Sequence, residues 1–205
     1  LPVIATPGNH EYLKGVVKKL PNHWKTIFPN PLNGPARFLG TTYFVDFPHL
    51  RLIAIDTDGL HRMSDYTQVA FWLKKTLREA GNKFTIVMMH HPVYSTAKGR
   101  QNPLMWLTFY DAMREADVVF SGHDHNYARR TEYYKERFWK KEEPTIFIGT
   151  NASIKKYPVK ENKKYEASLS GEPVYEHILV TPNTLHISTY TIHSGERIDN
   201  VEIIR

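Results

Sequence analysis

The chain has 205 residues, 41% of them apolar and 23% charged, a composition that excludes a disordered or fibrous chain. With no cysteine, it can form no disulfide or thiolate metal site and carries no cysteine nucleophile. The 27 Lys and Arg against 21 Asp and Glu leave a net charge of +6, and the whole excess falls in residues 129–164. That basic segment could be the footprint of a nucleic-acid binder, or a local basic surface that draws in small anions.

In chain order, residues 3–5 read as a strand already under way at the start, and residues 13–20 as a short helix. Pro-Asn-Pro-Leu-Asn-Gly-Pro at 29–35 can only be a turn-rich loop. Residues 42–47 and 51–55 form a predicted hairpin around Pro48-His49. Asp65-x-x-Gln68 resembles a capping box, and Val69, Leu73, Leu77 and Ala80 recur at helical spacing until Gly81-Asn82 ends the helix. The continuous apolar run 84–89 predicts a strand buried on both faces, but it is far too short to span a bilayer. A helix is expected over 104–114, then strands at 117–120, 146–148, 174–180 and 185–192, the last two joined at Pro182-Asn183. The polar stretch 155–164 predicts a mobile loop. Together these elements describe one mixed α/β domain with no internal repeat.

Three of the apolar segments run into metal-competent side chains. Residues 3–5 lead to Gly8-Asn9-His10-Glu11, residues 84–89 to His90-His91-Pro92, and residues 118–120 to Gly122-His123-Asp124-His125. Each cluster alone has a plain alternative: a solvated turn, a strand end with one packed and one exposed histidine, or an exposed histidine pair. Together, at strand ends, they point to one site beyond the carboxyl edge of a sheet, where α/β folds bind ligands. In extended chain His123 and His125 would share a side and could reach two neighbouring ions, with Gly122 keeping the approach open. Imidazole with a neutral amide oxygen suits zinc, manganese, iron or nickel, and not calcium. The remaining histidines (His23, His49, His61, His177, His186 and His193) read as packed or solvated.

The order Gly-Asn-His-Glu, then Val87-Met-Met-His90-x-Pro92-x-Tyr94-Ser95, then Val119-Phe-Ser-Gly-His-x-His125-x-Tyr127-x-Arg129 resembles the calcineurin-like metallophosphoesterases, and within them the purple acid phosphatase branch. Tyr43-Phe-Val-Asp-Phe, Leu52-Ile-Ala-Ile-Asp56-Thr57 and Gln68-x-x-Phe71-Trp-Leu73 fit the same pattern. The resemblance implies a four-layer αββα sandwich, two mixed β-sheets flanked by helices. It implies Asn9, His90 and His123 as ligands of one metal, His125 as a ligand of a second, and His10 as the catalytic residue that stabilises the phosphoryl group and protonates the leaving oxygen. His91 falls at a variable position and takes no metal, and Asp56 is expected as a structural, hydrogen-bonding corner.

The family pattern also has Asp-x-His or Asp-x-Gly and Gly-Asp-x-x-Asp or Gly-Asp-x-x-Tyr ahead of Gly-Asn-His-Glu, and residues 1–8 hold neither. The expectation is therefore that residues 1–205 form the C-terminal part of one catalytic domain whose upstream strands lie elsewhere. The implied activity is phosphomonoester hydrolysis by a hydroxide activated at two divalent or trivalent ions (Fe, Zn or Mn), acting on small anionic esters in a secreted or periplasmic setting. Rival readings are a phosphodiesterase, including a cyclic nucleotide phosphodiesterase, a nuclease, and a non-catalytic scaffold of the same fold. A basic RNA-binding module remains open through Tyr133-Tyr-Lys-Glu-Arg-Phe-Trp-Lys-Lys141, where cations alternate with aromatics.

Overall fold

A computed structural model of the protein describes residues 3–15, 18–133 and 144–205. Its centre is a seven-stranded mixed sheet built from β1 (Tyr43–Asp46), β2 (Leu50–Ile55), β3 (Phe84–Met89), β4 (Val118–Ser121), β5 (Tyr127–Glu132), β6 (Thr145–Gly149) and β7 (Ala167–Leu169), in the order β1-β2-β3-β4-β6-β5-β7. Strands β2, β3, β4 and β6 are parallel; β1 pairs antiparallel at one edge, and β5 and β7 at the other. The parallel interior explains the unbroken apolar run of β3, whose faces are both covered.

One face carries the helices α2 (Met63–Arg78) and α3 (Pro103–Met113). Val69, Leu73 and Leu77 from α2 and Met105, Phe109 and Met113 from α3 pack on Ile53, Ile55, Val87, Met89 and Val119. The other face, through Phe84, Ile86, Val118 and Ile148, meets Val174, Leu185, Ile187 and Val201 of a second sheet. That sheet has three strands, β8 (Val174–Val180), β9 (Thr184–Thr191) and β10 (Arg197–Ile204), with β9 central. The chain thus has the expected architecture of stacked sheets flanked by helices. The described residues form three of its layers, and the second sheet is antiparallel throughout rather than mixed.

Some local expectations are corrected. Residues 3–8 form no strand: the Tyr43 hydroxyl takes up both the Ala5 N–H (3.0 Å) and the Ala5 carbonyl (2.8 Å), so the segment is held by a side chain instead of a ladder. In place of a helix at 13–20, Leu13 pairs with Lys19 in an isolated antiparallel bridge, and the first short helix, α1 (His23–Ile27), follows Pro21. Helix α2 starts two residues before Asp65, which is its third residue and reaches back to the Arg62 N–H at 3.0 Å. The segment 155–164 is irregular but pinned, with Val159 bridged to Ala97 and Lys160 donating to the Thr96 carbonyl at 2.7 Å. No helix among the described residues is long and apolar enough to cross a membrane.

Candidate metal centre

Strands β2, β3 and β4 are adjacent and parallel, and their last residues, Ile55, Met89 and Ser121, stand side by side in register. Each then releases polar residues at the same edge: Asp56-Thr57-Asp58, His90-His91 and Gly122-His123. The segment 3–9 crosses this edge, tied by Thr6 Oγ1 to the Ile55 carbonyl at 2.8 Å, and delivers Asn9. Thus two of the three expected clusters come from strand ends, while Asn9 arrives on an irregular segment.

His90 Nε2 lies 2.7 Å from Asn9 Oδ1 and 3.0 Å from His123 Nδ1. One proton on Nε2 cannot serve two acceptors at full strength, whereas a cation takes the lone pairs of all three. The donor set therefore fits a borderline metal ion. Burial holds His90 down to about 4, helped by the His91 charge, and holds His123 down to about 3, helped by the charges of His91 and Arg100. Both rings are then neutral near pH 7, the form that ligates a metal. His90 owes its place to Gly8: a Cβ there would come within 2.6 Å of His90 Nδ1. Glu11 closes the same turn by accepting the Gly8 N–H at 2.7 Å. At Gly122 the matching contact is 3.7 Å, ordinary packing, so the glycine that this ring requires is Gly8 and not Gly122.

His123 and His125 do not sit in extended chain. Both have positive φ, 66° and 50°, in a tight turn that rotates their side chains out of the simple alternation of a strand. His125 packs its ring 5.2 Å from Tyr157 and lies outside the three-imidazole group of His90, His91 and His123. Burial also holds His125 down, with the Lys155 charge next. His10 is exposed, near enough for its charge to lower both His90 and His125. Asp56 is the structural corner that was expected. It is buried, accepts from the Tyr12 hydroxyl at 2.5 Å and the Gly59 N–H at 2.9 Å, and desolvation raises its pKa.

Four residues of this edge escape the sequence reading. Asp124, the x of Gly-His-x-His, is buried and accepts from Ser95 Oγ (2.7 Å), the Thr96 N–H (2.6 Å), the Ala97 N–H (3.1 Å) and Arg100 Nε (3.2 Å), clamping the 95–100 loop to the turn. Arg100 in turn sets its guanidinium beside His123 Nε2 and stacks 4.8 Å above the Tyr157 ring, at the rim. The other two, His91 and Asp58, lie side by side behind the cluster. An Ala-Lys-Gly-Arg stretch and a lone Asp after a strand carry no pattern that could have flagged Arg100 or Asp58; for His91 the only signal was its adjacency to His90.

Part of the basic segment is structural. Arg129 pairs with Asp199 at 2.6 Å and also with Glu166, Arg130 pairs with Glu132, and Lys164 reaches Glu132 at 3.7 Å. Apart from Tyr133, which is exposed, the aromatic-cationic stretch 133–141 lies outside the described residues.

Stacked sheets with amide and imidazole donors gathered at the carboxyl ends of parallel strands define an α/β scaffold with a metal-competent edge. Residues 1–127 match the calcineurin-like phosphoesterase family, and the chain belongs to it. Within the family the similarity runs to purple acid phosphatases. A relative from Arabidopsis thaliana, named probable purple acid phosphatase 20, is 25% identical over 202 residues, covering 90% of this chain and 46% of its own length. The chain thus spans about half the length of that curated relative. The purple acid phosphatase PPD1 of yellow lupin (Lupinus luteus) seeds superposes over 80% of this chain and 33% of its own, with a TM-score of 0.63 at 16% identity. GAP50, described as the anchor in the inner membrane complex of Plasmodium, shares the fold over 80% of this chain and 53% of its own, with a TM-score of 0.58 at 18% identity. At such identities these structures establish the fold alone.

Proposed function

We propose that this protein hydrolyses phosphate monoesters at a centre of two metal ions, iron, zinc or manganese. Asn9, His90 and His123 hold one ion, and His125 contributes to the other. The observation that carries this reading is the convergence of Asn9 Oδ1, His90 Nε2 and His123 Nδ1 at one sheet edge, within 3.0 Å of the next donor in each case. Membership in the calcineurin-like phosphoesterases and similarity to purple acid phosphatases support it. Bound ions supply Lewis acidity and lower the pKa of a water.

The chain's own residues supply the rest. The Arg100 guanidinium at the rim meets the dianionic phosphoryl group and orients it by charge-assisted hydrogen bonds. As the water oxygen bonds to phosphorus and the bond to the ester oxygen breaks, negative charge builds on the departing oxygen. His10, exposed beside the donors, hands its ring proton to that oxygen, so the products are an alcohol and inorganic phosphate. The basic surface around Lys155 favours approach of small anions. Residues 1–205 contribute to one catalytic domain in this reading.

The test is hydrolysis of p-nitrophenyl phosphate beside its bis ester, by protein reconstituted with each metal. Preference for the monoester is expected, and His123→Ala should abolish turnover. Preference for the bis ester would favour a diesterase, and full activity of His123→Ala in excess metal would overturn the assignment of the centre.

A further inference from the structure

The family resemblance leaves His91 without a role, yet one nitrogen from each of His90, His91 and His123 lies within 4.8 Å of the others. The His91 ring centroid is 4.4 Å from that of His123 and 5.0 Å from that of His90. Its backbone and side chain are both fixed from behind by the end of β2. The His91 N–H donates to Thr57 Oγ1 at 3.1 Å, and Nδ1 sits 3.1 Å from the same oxygen and 3.6 Å from Asp58 Oδ2.

Asp58 is the unusual member. Its side chain is wholly buried, Oδ1 is paired with Lys18 Nζ at 3.0 Å, and Oδ2 has no hydrogen-bond partner among the described residues. A buried carboxylate oxygen left bare is costly and calls for an explanation. The His91 ring nitrogen stands 3.6 Å from it, a distance that a small ring rotation closes. With acceptors at both Thr57 Oγ1 and Asp58 Oδ2, the neutral ring carries its proton on Nδ1 and keeps the lone pair on Nε2. Histidines that ligate metals are held in this way, with the second nitrogen donating to a carboxylate.

We propose that His91 is a further ligand, through Nε2, of the ion held by Asn9, His90 and His123, and that Asp58 is its positioning residue. The inference rests on the metal-centre reading above and adds a third imidazole to one ion. A donor set of three imidazoles and one amide oxygen is neutral, and it favours zinc or a similar borderline ion over calcium or magnesium.

The experiment titrates metal-free protein with Zn²⁺ against a chromophoric chelator and records the visible spectrum of the Co²⁺ form. His91→Gln, Asp58→Asn and His90→Gln are compared with the parent protein, with thermal melts of the metal-free forms as the check on folding. His91→Gln is expected to weaken Zn²⁺ binding by at least about 10-fold and to change the Co²⁺ band intensity. Asp58→Asn is expected to weaken binding by about 10–100-fold. Parent-like affinity and spectrum in His91→Gln, with loss in His90→Gln, would overturn the inference and leave the centre standing. Parent-like binding in His90→Gln as well would overturn the centre itself. If Asp58→Asn melts early, His91→Gln decides alone, because the His91 side chain is partly exposed and its amide replacement still fits.

Discussion

Replacing Gly8 with Ala tests what holds the His90 ring in place. The added Cβ would stand 2.6 Å from His90 Nδ1, 2.9 Å from Cε1 and 3.0 Å from Cγ, so it meets the ring plane and not a flexible tip. Carbon needs about 3.5 Å of clearance, so the ring must retreat by roughly 1 Å. Retreat pulls Nε2 away from Asn9 Oδ1 and His123 Nδ1, which it meets at 2.7 and 3.0 Å. Displacement of one ligand on that scale is expected to weaken Zn²⁺ by about 10–100-fold and to lower kcat/KM by about 100-fold. Stability should fall as well, because forcing a Cβ against this ring costs about 1–3 kcal/mol. Gly8 has no positive φ, so the backbone returns about 0.4–1 kcal/mol through the unfolded chain, which offsets only part of that cost. Gly122→Ala is the control, since its Cβ would rest at 3.7 Å from the same nitrogen. Metal titration and a thermal melt on both variants make the assay. Parent-like Zn²⁺ affinity in Gly8→Ala would refute the claim that this ring is held in place by the glycine.

Three further outcomes are expected. Arg100→Ala should raise the inhibition constant for inorganic phosphate by about 10-fold, since it removes the guanidinium at the rim, and an unchanged constant would remove Arg100 from phosphoryl binding. Asp124→Asn should lower stability by about 1–3 kcal/mol in a denaturant titration, because the amide keeps a single acceptor oxygen where the carboxylate serves both the 95–97 loop and Arg100. Asp199 is raised by burial but held below the ordinary carboxylate range by Arg129 and Tyr127, so its contribution is present above about pH 4 and is lost as pH falls through its lower folded value. Asp199→Asn should therefore cost about 2 kcal/mol at pH 7, a difference that shrinks in melts run below pH 4; a constant difference would refute the linkage.

The elements that were legible in the sequence are those whose burial is written in side-chain periodicity. Strand β3 shows as five apolar residues about a single threonine, α2 as Val69, Leu73 and Leu77, and the β8–β9 hairpin as alternation about Pro182-Asn183. Strand β5 was not legible because its sequence, Tyr-Ala-Arg-Arg-Thr-Glu, satisfies buried arginines with distant acids, Asp199 and Glu166 for Arg129. Strand β10 alternates weakly, with Val201 its one deeply buried residue, and its register comes from β9. At the site, the histidines and Asn9 were legible because metal donors are few and their order is distinctive. Asp58 was not, because what singles it out is an oxygen without a partner in the folded chain. Nor was Arg100, whose place comes from a loop held by Asp124 and by the 157–165 segment.

The turn that carries His123 and His125 ties these observations together. Left-handed backbone at a non-glycine residue costs on the order of 1 kcal/mol or more, and here two such residues flank Asp124. The turn persists because Asp124 points inward, where backbone N–H groups of Thr96 and Ala97 wait at 2.6 and 3.1 Å. An extended strand would alternate the three side chains and send Asp124 away from both histidines into the opposite face. The left-handed steps instead let one carboxylate sink into the 95–97 loop while His123 turns its Nδ1 to His90 and its Nε2 to Arg100. The loop that brings Arg100 to the rim and the turn that presents His123 are thus a single hydrogen-bonded unit. In the proposed mechanism, anion recognition and metal ligation at this edge are therefore coupled through Asp124, a residue that itself touches neither ligand.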